Sequence, residues 1–443
     1  MLRSRRSAVL VAAFVGVAAA LPVLALGGST NLPVAVSAPA ERLSGDEEVV
    51  TVFNSGALTA DVMQRALQAV TAAGGTGEIG RSASTGMQRV RRGGAIVQQA
   101  PFGAVFPMAT TMLPKRAVFA LMGASVAASL SATSLVMGER TAGLRGAQAG
   151  DVVDLVASNG TVIAFTIGAV VSDDVTGGTE LLMSIEGADR LGVTRPSRVV
   201  LWDFDSRADI DRELAANSLV STEIRIRRSW DESDPDRTLG MAETKEALGE
   251  FWYKVSSSGS GVSISLDWYG ANIDRSGPIG KLNLQSGCHR VVRVALANAM
   301  AEVIAVGLEN TINYRDANSA GGCWTARFSR QSPNSSIGFL SRHTWGMAVD
   351  TNTVGSCLGC APPDLDCQVV RIFRKHGFAW GGNFLTPDGM HFEWVGEPRH
   401  QGLYPSRYCP NVESATNAAL DGDTQRSTLF VDDGLRSGDS DEH

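Results

Sequence analysis

Hydrophobic patterns along the chain predict a series of strands followed by mixed strands and helices. Short runs rich in β-branched and apolar residues predict strands, whereas apolar residues three and four positions apart predict helices. The predicted strands are 49–53, 152–156, 161–171, 180–183, 198–202 and 262–266. The predicted helices are 59–71, 244–253 and 288–308. The last helix has an apolar stripe that should pack on a sheet.

Two other segments affect how the chain is organised. Residues 75–97 are rich in Gly, Ser and Arg, which predicts a linker or an exposed loop. Residues 117–137 form a stretch of 21 residues without a charge, long enough to span a bilayer. This stretch holds five Ser or Thr and much Ala, so we favour a buried helix over a membrane span.

The amino-terminal segment is typical of exported proteins. Arg3, Arg5 and Arg6 precede an uncharged stretch, 7–40, whose apolar core is 19 residues long. A basic region followed by an apolar core predicts either a cleaved secretory signal or a retained membrane anchor. We therefore expect an extracytoplasmic protein that is secreted, held in the cell wall or anchored in the membrane.

Cysteine usage and charge agree with that location. An even number of cysteines confined to one region of an exported protein predicts disulfides, here three with the pairing left open. The six cysteines are Cys288, Cys323, Cys357, Cys360, Cys367 and Cys409. The net charge of −7 excludes a generally basic protein that coats nucleic acid. Residues 411–443 hold eight Asp or Glu against two Arg, which predicts a disordered acidic tail.

Two short motifs carry candidate metal chemistry. They are SRHTWGMAVD at 341–350 and DGMHFEW at 388–394. His343, Asp350 and His391 supply two imidazoles and a carboxylate, and a catalytic zinc keeps three such ligands with a fourth position for water. Zinc brings the pKa of that water to about 7, and Asp388 could then take and return the proton.

Each of these residues also has an ordinary structural interpretation. A single buried His is commonly a hydrogen-bonded structural residue, and Asp350 and Asp388 both stand where turn-forming residues occur. Strand alternation in 391–395 places His391 and Glu393 on one face, so Glu393 is expected beside the ligands rather than among them. The joint pattern, rather than any one residue, predicts the metal site.

The two motifs resemble those of the zinc D-alanyl-D-alanine carboxypeptidase family, which includes the vancomycin-resistance peptidases and the phage L-alanyl-D-glutamate endolysins. The shared pattern is S-x-H-x-x-G-x-A-x-D followed by D-x-x-H-F-E. The resemblance implies that His343, Asp350 and His391 bind zinc and that Asp388 is the catalytic acid–base. Many members have Glu in place of Asp388, whereas the endolysin-like branch has Asp.

The resemblance also implies an upstream Arg that holds the substrate or stabilises the oxyanion. Residues 322–327 match that segment best, so Arg327 is the candidate and Arg330 a weaker one. A solvated surface Arg is the alternative for both. The implied substrate is the stem peptide of peptidoglycan. The favoured reaction is removal of a terminal D-Ala. One alternative is endopeptidase action on the same stem peptide. The other is a wall-binding module that holds metal without turnover.

We therefore predict an α+β protein whose C-terminal zinc domain resembles the Hedgehog/DD-peptidase fold. A mixed or β-rich module precedes that domain. The predicted segments are 1–40 (signal or anchor), 41–100 (small α/β segment and linker), 101–205 (β-rich module), 206–274 (connecting segment), 275–410 (zinc peptidase domain) and 411–443 (acidic tail).

Overall fold

The protein has a mixed α and β architecture in the computed structural model. The structure describes residues 48–54, 56–219, 224–231, 236–256, 261–280, 282, 286–313, 320–329, 332–384, 386–399 and 408–409. The predicted signal or anchor, the predicted acidic tail and Arg330 lie outside these residues.

Ten strands and six helices lie in the first part of the chain, counted over the residues that the structure describes. The strands are β1 (Val50–Phe53), β2 (Thr76–Arg92), β3 (Ala95–Gln99), β4 (Phe106–Leu113), β5 (Ser134–Gly138), β6 (Val152–Val156), β7 (Val162–Val171), β8 (Leu181–Ser184), β9 (Arg198–Trp202) and β10 (Arg225–Arg228). The helices are α1 (Ala60–Ala72), α2 (Lys115–Met122), α3 (Ala124–Ala128), α4 (Glu139–Arg145), α5 (Ile185–Leu191) and α6 (Arg207–Ala216).

Six of these strands close into a barrel. Their order is β2-β4-β8-β5-β7-β6, and β6 pairs back with β2. The β4–β8 and β5–β7 pairs are parallel, and the other pairs in the ring are antiparallel. The first residues of β2 pair with β9, from which β1 and β10 extend the sheet. The sheet therefore draws strands from the predicted segments 41–100, 101–205 and 206–274, whose boundaries stay a prediction.

The prediction of a linker at 75–97 is wrong, because these residues form the long strand β2 and its turn into β3. The middle of β2, residues 83–87, is buried on successive positions rather than on alternate ones. A strand covered on both faces loses the period of two that identifies a half-exposed strand. Its small side chains reflect close packing in the barrel rather than a flexible loop.

The prediction of one buried helix at 117–137 is also wrong. The segment contains most of α2, all of α3 and most of β5. Gly123 separates the two helices with φ of +92°, a backbone conformation that favours glycine and ends a helix. Within the described residues, no helix is long and apolar enough to cross a membrane.

Most other predicted elements of the first part are confirmed. The strands predicted at 49–53, 152–156, 161–171, 180–183 and 198–202 correspond to β1, β6, β7, β8 and β9. The helix predicted at 59–71 is α1, and the Thr59 side chain accepts a hydrogen bond from the backbone N–H of Val62 at its start.

The C-terminal part is built from shorter elements. Its strands are β11 (Tyr253–Val255), β12 (Val262–Ile264), β13 (Ile273–Asp274), β14 (Cys288–His289), β15 (Ala320–Gly321), β16 (Ala348–Thr351), β17 (Phe378–Trp380) and β18 (His391–Trp394). Its helices are α7 (Met241–Leu248), α8 (Leu266–Asn272), α9 (Arg290–Ala305) and α10 (Cys367–Lys375). Short 3₁₀ helices lie at Glu309–Thr311, Arg342–Trp345 and Gly381–Asn383. The helix predicted at 244–253 corresponds to α7, which ends at Leu248. Tyr253, the last residue of the predicted helix, begins β11.

An antiparallel sheet in the order β15-β16-β18-β17 forms the centre of this part. The predicted helix at 288–308 is confirmed as α9, which packs against α10 through its apolar stripe. The core beneath the sheet also includes Leu248, Phe251 and Tyr253, which precede residue 275. The likeness to the Hedgehog/DD-peptidase fold stays a prediction.

All six cysteines are paired, as predicted. The disulfides are Cys288–Cys323, Cys357–Cys360 and Cys367–Cys409. The first joins β14 to the segment that precedes the 3₁₀ helix at Arg342–Trp345, and the third joins the start of α10 to the end of the described chain.

Candidate metal centre

Two neighbouring strands and one short helix bring the motif residues together. Asp350 on β16 lies directly opposite His391 on β18 in the antiparallel register. His343 lies in the 3₁₀ helix before β16, where the Ser341 side chain accepts a hydrogen bond from the His343 N–H. Gly346 ends this helix with φ of +65° and turns the chain into β16.

The three side chains form a compact, buried group. Oδ1 of Asp350 lies 3.0 Å from Nδ1 of His391, and Oδ2 lies 3.3 Å from Nε2 of His343. One ligand atom from each of the three residues can be chosen so that all lie within 4.8 Å of one another. His343 and Asp350 are each 2% exposed and His391 is fully buried. These are spacings at which three side chains can share one ion.

Hydrogen bonding leaves the donor atoms suitable for zinc. Nδ1 of His343 lies 3.2 Å from the backbone carbonyl of Cys323, which can only accept, so Nδ1 carries the hydrogen and Nε2 keeps its lone pair. Nε2 of His343 is buried and makes no hydrogen bond within the described residues. A carbonyl that fixes the tautomer of a ligating His is the usual arrangement around zinc. The residues therefore fit a zinc ion with two nitrogen ligands and one oxygen ligand.

The electrostatics of the group favour charged side chains despite complete burial. Burial by itself raises the pKa of Asp350, but the adjacent His343 and His391 outweigh it and hold this pKa well below its usual range. Burial lowers the pKa of His391, whereas hydrogen bonds to Asp350 and Glu393 raise it well above its ordinary value. An anionic Asp350 between two imidazoles is the charge distribution that a cation would stabilise.

Asp388 lies in the turn that leads into β18. The His391 N–H donates to the Asp388 carbonyl at 3.1 Å, and the Asp388 N–H donates to the Gly381 carbonyl at 2.9 Å. The side chain is fully buried, and its charge contributes to the raised pKa of His391. Asp388 is therefore electrostatically coupled to the metal group without being one of the three residues that compose it.

Glu393 lies on the same face of β18 as His391, as strand alternation predicted. Its Oε2 lies 3.7 Å from Nε2 of His391, and its Oε1 lies 3.3 Å from Nε of Arg342. The structure thus places Glu393 behind the ring of His391, where its charge favours one ring orientation.

Arg342 is a residue that the sequence did not single out. Besides Glu393, it donates from Nη1 to the Thr244 hydroxyl at 2.9 Å and from Nη2 to the Leu239 carbonyl at 2.7 Å. Its side chain is 6% exposed. The only available signal was its position inside the first motif, because Thr244 and Leu239 lie about 100 residues upstream and Glu393 lies in the second motif.

Arg327 bonds through its backbone to the segment that carries His343. Its N–H donates to the Thr344 hydroxyl at 3.3 Å, and its carbonyl accepts from the Thr344 hydroxyl and the Ser341 N–H. These bonds support the 3₁₀ helix that carries His343. The guanidinium is partly buried, and a role for it in substrate binding stays a prediction.

Comparison with known proteins supports the family resemblance. Residues 334–394 match the family model described as D-alanyl-D-alanine carboxypeptidase. The match covers both motifs, including His343, Asp350, Asp388 and His391, so the resemblance drawn from the motifs is confirmed for this segment. A comparison of the chain with curated proteins gives no match.

Proposed function

We propose that the chain is a zinc peptidase of the D-alanyl-D-alanine carboxypeptidase type that acts outside the cytoplasm on peptidoglycan stem peptides. One observation carries the proposal. The segment that matches the family model also holds a buried His-Asp-His group whose donor atoms fit zinc. The apolar amino-terminal stretch supports export, and the three disulfides are typical of an oxidising compartment.

His343, Asp350 and His391 would hold the metal. Zinc bound there would act as a Lewis acid toward the scissile carbonyl and promote ionisation of the hydrolytic water. The Cys323 carbonyl keeps His343 in the tautomer that presents Nε2, and Glu393 keeps the His391 ring oriented. Burial of all three side chains excludes competing water ligands from the protein side of the site.

Asp388 would move the proton. Its carboxylate would accept a proton from the attacking water and return it to the leaving amine, as a general base and then a general acid. A carboxylate suits this role because its pKa can be matched to the reaction by its surroundings. Arg327 is the candidate for pairing with a substrate carboxylate, which a planar guanidinium can do with two parallel hydrogen bonds.

The test uses the full-length protein loaded with one equivalent of zinc. The substrate is a synthetic stem pentapeptide that ends in D-Ala-D-Ala, and the products are identified by mass. We expect free D-Ala and a tetrapeptide, with no product after zinc is removed by a chelator and recovery when zinc is restored. The Asp388→Asn variant is the matched control, because it retains the ligands and alters only the proposed proton carrier.

Two other results would point elsewhere. An internal cut of the stem peptide would show endopeptidase rather than carboxypeptidase action. The endolysin-like branch of the family has Asp at the position of Asp388, which agrees with that alternative. Absence of any product from zinc-loaded protein, together with retained binding to peptidoglycan sacculi, would favour a metal-holding wall-binding module.

A further inference from the structure

A buried carboxylate outside the family-matched segment organises one side of the metal centre. Asp236 is 2% exposed, and within the described residues its carboxylate accepts hydrogen bonds from Arg374, Trp380 and Asn383. Its Oδ1 accepts from Nε of Arg374 and from the Trp380 N–H, both at 2.8 Å. Its Oδ2 accepts from Nη2 of Arg374 and from Nδ2 of Asn383. Both oxygens of the carboxylate therefore have two donors, which is about its full capacity.

These contacts place Asp236 behind the short segment 380–383. Asp236 binds the first residue of the segment through its backbone and the last through its side chain. Arg225 of β10 donates to the Asn383 carbonyl from the same upstream part of the chain. The segment is thus held from behind by residues about 140 to 160 positions earlier in the sequence.

The opposite side of the same segment holds the turn of Asp388. The Gly381 carbonyl accepts from the Asp388 N–H at 2.9 Å, and the indole N–H of Trp380 donates to the Gly389 carbonyl at 2.8 Å. The segment 380–383 and the turn at Asp388 approach so closely that a Cβ on Gly381 would lie 2.5 Å from the Asp388 carbonyl oxygen. A shift of 380–383 must therefore move the turn that carries Asp388.

We infer that Asp236 is a positioning residue for Asp388. The inference rests on the proposed function, in which Asp388 moves the proton. Asp236 fixes Trp380 and Asn383, and the segment between them fixes the backbone of Asp388 and Gly389. The metal group depends less on Asp236, because His343 is held by the Cys323 carbonyl, and Asp350 and His391 are held by the pairing of β16 with β18. His391 also bonds the turn, through its N–H to the Asp388 carbonyl, so zinc content is measured beside activity. Loss of Asp236 should therefore separate proton transfer from metal binding.

The experiment compares three variants of the full-length chain. Asp236→Asn keeps the shape of the side chain, but its amide NH2 is a donor and accepts no hydrogen bond, so one oxygen position loses both of its donors. Trp380→Phe keeps the Asp236–Arg374 ion pair and the backbone N–H that bonds Asp236, and it removes the indole donor to Gly389 together with part of a buried ring that faces Arg374. It serves if Asp236→Asn does not fold. Asp154→Asn is the matched control, because Asp154 is a buried barrel carboxylate that pairs with two arginines.

Three quantities are measured on each variant: zinc content, amide hydrogen exchange of residues 386–394, and kcat and KM on the stem peptide. For Asp236→Asn and Trp380→Phe we expect one zinc, faster exchange around Asp388, and a kcat about 10²-fold lower with KM little changed. A misplacement of about 1 Å typically has an effect of that size. Asp154→Asn should lower the melting temperature while exchange and kcat stay at the wild-type values.

The exchange measurement needs no substrate, so it separates this inference from the proposed function. Unchanged exchange around Asp388 in both test variants, or equally fast exchange in Asp154→Asn, would overturn the positioning role. Loss of zinc in parallel with kcat would also overturn it, because the effect would then act through the metal group. If the wild-type protein cleaves no stem peptide but the test variants still exchange faster around Asp388, the positioning role of Asp236 is retained and the proposed peptidase function is rejected.

Discussion

Phe251 offers a quantitative test of where the core of the metal-binding part begins. This residue precedes position 275, yet it is 1% exposed and belongs to the core beneath the β16–β18 sheet. Its ring centroid lies 4.7 Å from that of Trp268 and 4.6 Å from that of Trp345. Trp345 is in the same 3₁₀ helix as His343, so Phe251 packs against the helix that carries a proposed ligand.

Truncation of a buried Phe to Ala typically costs about 3–5 kcal/mol, which includes the cavity left behind. Contacts with two aromatic rings place Phe251→Ala toward the upper part of that range. Native domains have a free energy of unfolding of about 5–15 kcal/mol, so the variant should fold with much reduced stability. With a urea m-value of about 1–3 kcal/mol/M, the unfolding midpoint should fall by about 1 M or more.

The assay is urea unfolding of the full-length protein followed by tryptophan fluorescence, with Phe102→Ala as the control. Phe102 is 95% exposed in the turn between β3 and β4, and a surface substitution of this kind usually changes stability by less than about 0.5 kcal/mol. Equal midpoints for the two variants would refute the packing argument and would mean that Phe251 is not part of the core that supports His343.

Three further predictions concern the metal centre and the cysteines. Single Ala variants of His343, Asp350 and His391 should each lose zinc and activity together, because the two remaining ligands leave an incomplete shell. Full zinc occupancy in all three variants, measured by elemental analysis, would contradict the assignment. Asp388→Asn should retain zinc while kcat falls by about 10²–10⁴-fold, and a wild-type kcat would assign the base to another residue. Denatured, unreduced protein recovered from outside the cytoplasm should show no free thiol, whereas six would exclude the disulfides.

Local sequence was sufficient for the residues that form the metal group. Asp350 and His391 each stand at a strand position that short apolar runs identify, and His343 lies only seven residues before Asp350. What the motifs left open was the pairing of β16 with β18, which the register now supplies. The roles of these residues in binding and catalysis stay predictions, because geometry alone shows only that they can share an ion.

Long-range partners explain what the sequence did not reveal. Asp236 and Arg342 have no periodic pattern around them. The hydrogen-bond partners of Asp236 and the upstream partners of Arg342 lie about 100 to 150 positions away. A charged residue is expected at the surface unless its partner is known. The same limit applied to β2, whose burial on both faces depends on strands that are distant in sequence.

Helix α7 shows why the barrel and the metal centre should not be treated as independent. Lys245 donates to Glu180 at 2.8 Å and lies 3.1 Å from Glu250, and the Lys245 and Glu180 side chains are fully buried. The hydroxyl of the neighbouring Thr244 accepts a hydrogen bond from Arg342. The charged partner of Arg342 is Glu393, which lies behind His391. Each buried ion loses several kcal/mol of solvation, which only close pairing offsets, so this arrangement tolerates little displacement of α7. The barrel therefore helps to fix the helix on which the support of His391 depends.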